Sequence, residues 1–182
     1  FIRLGTSGTI QANIELDSLI VAEAAIGFDN LMHYYEPSMC EHPIAVSLHS
    51  KLGMSKNLNH PYYIDGDSVL VDDCLKLGMS KGIIVTNPGF YAPQGRHLRT
   101  KNILPYDLNE FLHFNYKNSK ITNFDMETSG IYGLSHVMGH RAISISAILA
   151  NRFHNTFSNQ TDKTIFNMIE KVTDAIKNGF FL

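Results

Sequence analysis

The stretch SLIVAEAA, residues 18–25, decides the fold of this 182-residue chain. It is almost continuously apolar, and it is bounded by polar Asp17 and by Gly27. A strand that is covered on both faces has this kind of sequence, because neither face meets water. We therefore expect a buried strand with other elements packed on both of its sides.

Further strands and helices follow along the chain. Strands are predicted at residues 82–86, 120–124 and 141–150. Helices are predicted at residues 67–77, near 108–114, from the residues after 127 to Gly139, and at 161–177. The last two helices have apolar faces made of Ile131, Leu134, Val137 and Met138, and of Ile165, Met168, Ile169, Val172 and Ile176. Because strands and helices alternate, the sequence predicts the α/β class with a mostly parallel or mixed sheet.

Three regions give weaker patterns. Residues 1–4 have the pattern of the end of a strand, and they lead into a predicted glycine loop at residues 5–8. Residues 32–66 show no sustained period, so we expect mostly loop with a short element near residues 44–48. Because the chain opens on Phe1 inside this strand pattern, we expect a single domain, residues 1–182, that lacks its N-terminal part.

Composition restricts the possible functions. Apolar residues make up 44% of the chain and charged residues 18%, which is typical of a folded domain with a real core. The net charge of −2 provides no field that would attract nucleic acid or an anionic membrane, so neither is an expected partner. Cys40 and Cys74 lie far apart without a CxxC pattern, which favours a reducing compartment, the cytoplasm.

The first polar motif surrounds Arg3. In Gly5-Thr6-Ser7-Gly8 the glycines permit close backbone approach, and the hydroxyl groups with the guanidinium offer donors suited to a phosphate. No GK[ST] follows, so this is not a Walker loop. An ordinary Gly/Ser/Thr turn beside a surface arginine is the alternative.

The second motif follows the strand at residues 82–86. Phe90 can stack on a ring, while Gln94 and Arg96 together can match a carbonyl–NH–carbonyl edge such as that of uracil. The alternative is an exposed loop whose Phe90 covers the core.

The third motif is Asp125-Met126-Glu127 at a strand-to-helix turn. A carboxylate can accept hydrogen bonds from two neighbouring hydroxyls, as on a ribose. The alternative is an acidic first turn that serves the helix dipole. His136 and His140 have an i, i+4 spacing but no HExxH glutamate, so surface histidines are favoured over a metal site there.

Taken together, the segments FIRLGTSG, GFYAPQGR, TNFDMETSG and AILANR resemble the motifs of family-I nucleoside phosphorylases, most closely the bacterial uridine phosphorylase branch. The resemblance implies a three-layer α/β/α sandwich around a mixed, partly barrel-like central sheet. It implies a pentosyltransferase that converts uridine and inorganic phosphate, the co-substrate, to uracil and ribose 1-phosphate in nucleoside salvage. It implies no metal and no organic cofactor, and a homo-oligomer, either a dimer or a hexamer built of dimers.

The resemblance also implies the site residues. The implied catalytic residues are Arg3, Thr6, Arg96 and Glu127. The implied substrate-binding residues are Gly5, Ser7, Phe90, Gln94, Asp125, Met126, Leu149 and Ala150.

Each implied residue has a role. Phosphate is held by Arg3 and Thr6, with Thr6 also near the ribose, and the uracil edge is read by Gln94 and Arg96. Phe90 and the apolar wall of Leu149 and Ala150 flank the base, and Met126 with Glu127 binds the ribose. Asp125 departs from the branch, which usually has Glu at its position.

Three alternatives remain open. A purine nucleoside phosphorylase carries an Asp where this chain has Asn151, which cannot act as an acid. A nucleosidase uses water instead of phosphate, and its members generally lack the arginine found here as Arg3. A non-catalytic nucleoside-binding relative is the third.

Overall fold

The computed structural model describes residues 1–54, 60–96, 98–100, 108–116 and 119–182, and it confirms the α/β class. Its strands are β1 (Ile2–Thr9), β2 (Leu19–Gly27), β3 (Tyr62–Asp65), β4 (Ser80–Thr86), β5 (Asn115–Tyr116), β6 (Ser119–Asp125), β7 (Ile143–Asn151) and β8 (Thr156–Phe157). Its α-helices are α1 (Pro43–Lys51), α2 (Ser68–Lys76), α3 (Leu108–Leu112), α4 (Thr128–Val137) and α5 (Thr161–Lys177). Short 3-10 helices span Leu31–Tyr34, Pro37–Glu41 and Ala92–Gln94. Within these described residues, no helix has the length and apolar character needed to cross a membrane.

The sheet is mixed, as expected. Its described strands run in the order β3-β2-β4-β6-β1-β7-β8, and β5 pairs with β6. The pairs β2–β4, β4–β6 and β1–β7 are parallel, whereas β1–β6, β2–β3 and β2–β7 are antiparallel. Because β2 pairs with both β4 and β7, the strands β2, β4, β6, β1 and β7 close into a ring. This ring is the barrel-like part of the sheet.

Helices pack on both faces of the sheet, and the alternation along β4 shows how. Ile83 and Val85 lie in a buried cluster with Ile44 of α1 and with residues of α3, whereas Ile84 lies in a cluster with Tyr132 of α4. A third cluster joins α2 and α5 to β1, β2 and β7. Successive side chains of a strand point to opposite faces, so a strand covered on both sides must be apolar throughout.

The predicted glycine loop at residues 5–8 is wrong, because these residues continue strand β1. Gly5 pairs with Ser146 and Gly8 with Ala150 in the parallel ladder between β1 and β7. Glycine is tolerated within a strand where another group comes close to the backbone. Here that group is the guanidinium of Arg3, which lies where a side chain on Gly5 would be.

Helix α1 confirms the short element expected near residues 44–48, but the prediction of mostly loop for the rest of residues 32–66 is wrong where the structure describes them, and residues 55–59 lie outside the described part. Helix α1 buries Ile44, Ala45 and Leu48, and Pro43 stands in its first turn. Strand β3 pairs antiparallel with β2 at the edge of the sheet. Elements this short do not repeat an apolar period often enough to stand out in the sequence.

The two C-terminal helices are confirmed, but part of each predicted apolar face is exposed. On α4, Val137 is 44% exposed and Met138, at its C-cap, is 58% exposed, because this helix instead buries Tyr132 and small residues. A side chain on Gly133 of α4 would come within 2.5 Å of the sulfur of Met32, so small residues allow this close approach. On α5 the buried residues are Thr164, Met168, Val172 and Ala175, while Ile169 and Ile176 are each 46% exposed.

Candidate functional site

A cavity of about 830 Å³ gathers the polar residues of all three sequence motifs. Eleven of the twelve residues singled out from the sequence line it: Arg3, Thr6, Ser7, Phe90, Gln94, Arg96, Asp125, Met126, Glu127, Leu149 and Ala150. The segments that carry these residues are far apart in the chain, so the fold itself brings them together. This volume is within the range of a small-molecule site.

The sheet explains why the three motifs meet. Strands β4 and β6 are parallel, so the loop after Thr86 and the turn at Asp125 leave the same edge, where the Asn87 amide donates to the Asp125 carbonyl oxygen at 2.9 Å. Strand β1 passes beside this edge, since the Ser7 hydroxyl donates to the Phe124 carbonyl oxygen at 2.7 Å. Strand β7 runs parallel to β1, and a register shift in this pairing leaves Leu149 unpaired. Such bulges re-aim side chains beside functional sites.

Arg3 connects the first motif to the third. Its Nη2 lies 2.5 Å from Oε2 of Glu127 and 3.5 Å from Oδ2 of Asp125. Its Nη1 donates to the Ser144 hydroxyl at 3.2 Å. The side chain of Glu127 is 49% exposed, so its carboxylate is open to a ligand, whereas that of Arg3 is 16% exposed. The pair places a cation that suits phosphate beside an anion that suits sugar hydroxyls.

Asp125 has a different environment from Glu127. Its side chain is almost fully buried and accepts hydrogen bonds from the hydroxyl groups of Thr86 and Thr128 and from the Thr128 amide. Burial raises the pKa of this carboxyl, while those hydrogen bonds and the Arg3 charge act in the opposite direction. Asp125 thus fixes the turn between β6 and α4, and with it the position of Glu127.

Arg96, Gln94 and Phe90 form a compact group on the cavity wall. The Arg96 guanidinium lies 3.8 Å from the centre of the Phe90 ring, and its Nη1 donates to the Gln94 Oε1 and to the Phe90 carbonyl oxygen. Gln94 is 4% exposed, whereas Phe90 is 51% exposed. Burial lowers the pKa of Arg96, which means that its charge is poorly solvated. A poorly solvated guanidinium favours an anionic partner.

Arg152 also lines the cavity, and the sequence did not single it out. Its Nη2 donates to the Gln94 carbonyl oxygen at 2.8 Å, and its guanidinium lies 5.3 Å from the centre of the Phe124 ring. Its Nη1 is buried and has no hydrogen-bond partner among the described residues. Burial, together with the Arg96 charge, lowers the pKa of Arg152 to about 10. In the sequence, its signal was its place at the end of the segment AILANR, two residues after the predicted wall of Leu149 and Ala150.

Asn151 lines the same cavity, but protein groups occupy its side chain. Its amide nitrogen donates to the carbonyl oxygens of Gln11 and Ile14, and its Oδ1 accepts from the amides of Phe153 and His154. A side chain held in this way shapes the loop after β7. It does not serve as a proton donor to a substrate, in keeping with the chemistry of an amide.

Gly5 is the predicted substrate-binding residue that is not part of the cavity lining. A Cβ at this position would lie 2.5 Å from Nη1 of Arg3 and 2.8 Å from its Cζ. The missing side chain of Gly5 makes room for the guanidinium of Arg3, so Gly5 shapes the cavity through Arg3, and its contact with a substrate stays a prediction.

Comparison with known proteins identifies relatives of the chain. A uridine phosphorylase from Thermococcus kodakarensis is 29% identical over 90% of this chain and 52% of its own length. A uridine phosphorylase from Haemophilus influenzae is 23% identical over 97% of this chain and 62% of its own length. The chain thus spans between half and two thirds of the length of these relatives.

Solved structures agree on the fold. A Trypanosoma brucei nucleoside phosphorylase, whose report states that it shows uridine phosphorylase activity, superposes with a TM-score of 0.82 at 22% identity, over 98% of this chain and 63% of that one. The uridine phosphorylase of Schistosoma mansoni, in its apo form, superposes with a TM-score of 0.63 at 23% identity, over 98% and 60% of the two chains. The protein-family model of the phosphorylase superfamily matches residues 1–177 of the chain. The chain therefore belongs to the phosphorylase superfamily.

Proposed function

We propose that the protein cleaves uridine with inorganic phosphate to give uracil and ribose 1-phosphate. The observation that carries this proposal is the pairing, within one cavity, of Arg3 and Glu127 with the guanidinium groups of Arg96 and Arg152. Among the described residues of the cavity wall, these three arginines face two carboxylates, so the site carries a net positive charge. That charge suits a reaction that takes in phosphate and releases an electron-rich base.

In the proposed reaction, phosphate held by Arg3 and Thr6 attacks C1′ of the ribose. A C1′–O bond forms while the bond from C1′ to N1 of uracil breaks, and that electron pair moves to the base. The base then takes up, through water, the proton that the phosphate loses as its ester forms, so that uracil leaves neutral. Because the sugar resembles an oxocarbenium ion in the transition state, the neighbouring phosphate and the Glu127 carboxylate stabilise it.

The base side of the cavity suits the negative charge that develops on uracil. Gln94 and Arg96 would hold its carbonyl–NH–carbonyl edge, with Phe90 against the ring. The buried Nη1 of Arg152 supplies a further donor that has no protein partner among the described residues. Donors fixed in place before the reaction stabilise such a charge more than water does, because they need not reorganise.

Arg3 favours phosphorolysis over hydrolysis, and the occupied side chain of Asn151 favours a pyrimidine over a purine. Phosphate is the proposed co-substrate, and the proposed steps use no metal or organic cofactor.

We further propose that the protein works as a homo-oligomer in the cytoplasm. Phe157 and Phe90 line the cavity yet are 74% and 51% exposed, which is what the mouth of a site covered by a second copy would show. Cys40 and Cys74 are both free thiols, which suits a reducing compartment.

The test is uracil release from uridine by the full-length protein, measured with and without inorganic phosphate. We expect release that depends on phosphate and exceeds hypoxanthine release from inosine. Equal release without phosphate would identify a nucleosidase, and a preference for inosine would identify a purine enzyme. No release from any nucleoside, with binding intact, would identify a non-catalytic relative.

A further inference from the structure

Ser144 of strand β7 lies directly under the guanidinium of Arg3. The two residues are register partners in the parallel ladder between β1 and β7. Ser144 is 1% exposed, and its hydroxyl accepts a hydrogen bond from Nη1 of Arg3 at 3.2 Å. Neither the sequence motifs nor the cavity lining include this residue.

The Ser144 hydroxyl is also anchored from its other side. It donates a hydrogen bond to the Thr128 hydroxyl at 2.8 Å, because the single proton of that hydroxyl goes to the buried carboxylate of Asp125. The backbone amide of Ser144 donates to the Tyr132 hydroxyl at 2.8 Å. A buried hydroxyl fixed at several points cannot rotate away, so it offers Arg3 an acceptor in a set direction.

Such an acceptor matters because the shortest contact of Arg3 is one that a substrate would disturb, while its ion pair with the buried Asp125 is longer, at 3.5 Å. Nη2 of Arg3 pairs with Glu127, whose carboxylate is half exposed and is the proposed partner of the ribose. When the ribose hydroxyls engage Glu127, this ion pair weakens. The contact between Nη1 and Ser144 is within the protein, so it can persist and keep the guanidinium aimed into the cavity.

We propose that Ser144 is a positioning residue that holds Arg3 for phosphate, through a chain of hydroxyls that ends on Asp125. This inference rests on the proposed function, in which Arg3 binds phosphate. It adds that phosphate affinity is set by a buried serine that does not touch phosphate.

The test compares Ser144→Ala with Ser146→Ala in the full-length protein. Ser146 is a matched control, because it is a 2% exposed serine on the same strand and its hydroxyl does not bond to Arg3. Phosphate affinity is measured by titration calorimetry with phosphate alone, and the KM values for phosphate and uridine are measured separately. Loss of a hydrogen bond to a charged group predicts a roughly tenfold weaker phosphate affinity for Ser144→Ala. Ser144→Ala should also lower the melting temperature modestly, because the buried Thr128 hydroxyl loses a partner, whereas the KM for uridine and the Ser146→Ala protein should change little.

A double-mutant cycle with Arg3→Lys tests whether Ser144 acts through Arg3. Lysine lacks the guanidinium fork, so Ser144→Ala should have little further effect on phosphate affinity in that background. Equal effects of Ser144→Ala and Ser146→Ala, or a full additional loss in the Arg3→Lys protein, would overturn the inference. A protein that binds phosphate in the predicted Ser144-dependent way but does not cleave uridine would overturn the proposed function and leave the inference standing. Failure of the wild-type protein to bind phosphate would overturn both.

Discussion

Replacing Arg152 with methionine tests whether its buried charge serves a ligand at the expense of stability. Burial and the Arg96 charge lower the pKa of Arg152 from its ordinary value to about 10. A group whose pKa falls on folding is less stable charged in the folded state, so the penalty is present below about pH 10 and disappears above the ordinary value. A tenfold change in the protonation equilibrium corresponds to about 1.4 kcal/mol. The lowered pKa therefore means that the charged Arg152 destabilises the folded state by roughly 3 kcal/mol, before screening by water is considered. Since Arg152 is only partly buried, screening by water reduces this to about 2 kcal/mol.

Two contacts offset part of that penalty. The hydrogen bond from Arg152 to the Gln94 carbonyl oxygen at 2.8 Å is worth about 1 kcal/mol, and methionine retains most of the packing on Phe124. We therefore expect Arg152→Met to stabilise the folded protein by about 1 kcal/mol, which is roughly 2–4 °C in melting temperature. The same change should slow uridine cleavage, because it removes a donor near the leaving base.

The assay combines thermal unfolding at pH 7 with uracil release. Arg99→Met is the matched control, because Arg99 is exposed and outside the cavity lining, and it should alter neither quantity. A lower melting temperature for Arg152→Met together with unchanged uridine turnover would refute the reasoning, since Arg152 would then be a structural residue.

Three further substitutions probe other parts of the structure. Arg96→Ala should reduce uridine turnover by a factor of roughly 100 to 1,000, as expected for a lost charge-directed donor, and a matching loss of melting temperature would instead make Arg96 structural. Gly5→Ala places a Cβ 2.5 Å from Nη1 of Arg3. Because the flexible side chain of Arg3 can move away, the KM for phosphate should rise while the melting temperature stays the same. Unchanged phosphate kinetics would contradict this. Asp67 pairs with Arg141 and caps α2, and these contacts lower the pKa of its carboxyl. Its stabilising effect is therefore present above the ordinary pKa of an aspartate and is lost as the pH falls through the lowered pKa. Asp67→Ala should thus cost about 1 kcal/mol in thermal melts at pH 7 and clearly less near pH 2, whereas an equal loss at both values would count against this assignment.

Three strands of the ring, β2, β4 and β7, were predictable because they are buried on both faces. The sequences of β2, β4 and β7 are apolar over most of their length, and such runs are a direct consequence of having no face in water. The ends of α2 also have local causes, since Asp67 accepts a hydrogen bond from the Leu70 amide before the helix and Gly78 follows it at a φ of 80°. For these strands and for the ends of α2, the residues that determine the structure lie at or within a few positions of it in the sequence.

Other features depend on contacts between distant segments. The glycines of β1 indicated a loop, yet their small size admits Arg3 and lets β1 pair with β7. The apolar face predicted for α4 was wrong in part because Gly133 lets Met32 approach this helix on a different side. The local pattern of β1 contains no information about β7, and that of α4 contains none about Met32.

The candidate site likewise has features that the sequence predicts and features that it does not. Most residues that line the cavity could be identified because they lie in compact motifs that resemble those of nucleoside phosphorylases, and two of these motifs follow the ends of β4 and β6, where α/β sheets place their ligands. Their roles could not all be read from the motifs, since Asp125 and Glu127 are two residues apart and have opposite environments. Arg152 and Ser144 were missed because their importance comes from Arg96 and Arg3, which lie far away in the sequence.

A crystal structure of the full-length protein with uridine and sulfate would test the central claim most directly, since sulfate can occupy a phosphate site without reacting. We predict the uracil edge on Gln94 and Arg96, the ribose hydroxyls on Glu127, and the sulfate on Arg3 on the side of C1′ opposite the base. Uridine bound outside this cavity, or bound with its ribose against Arg96 and its base against Glu127, would contradict the account.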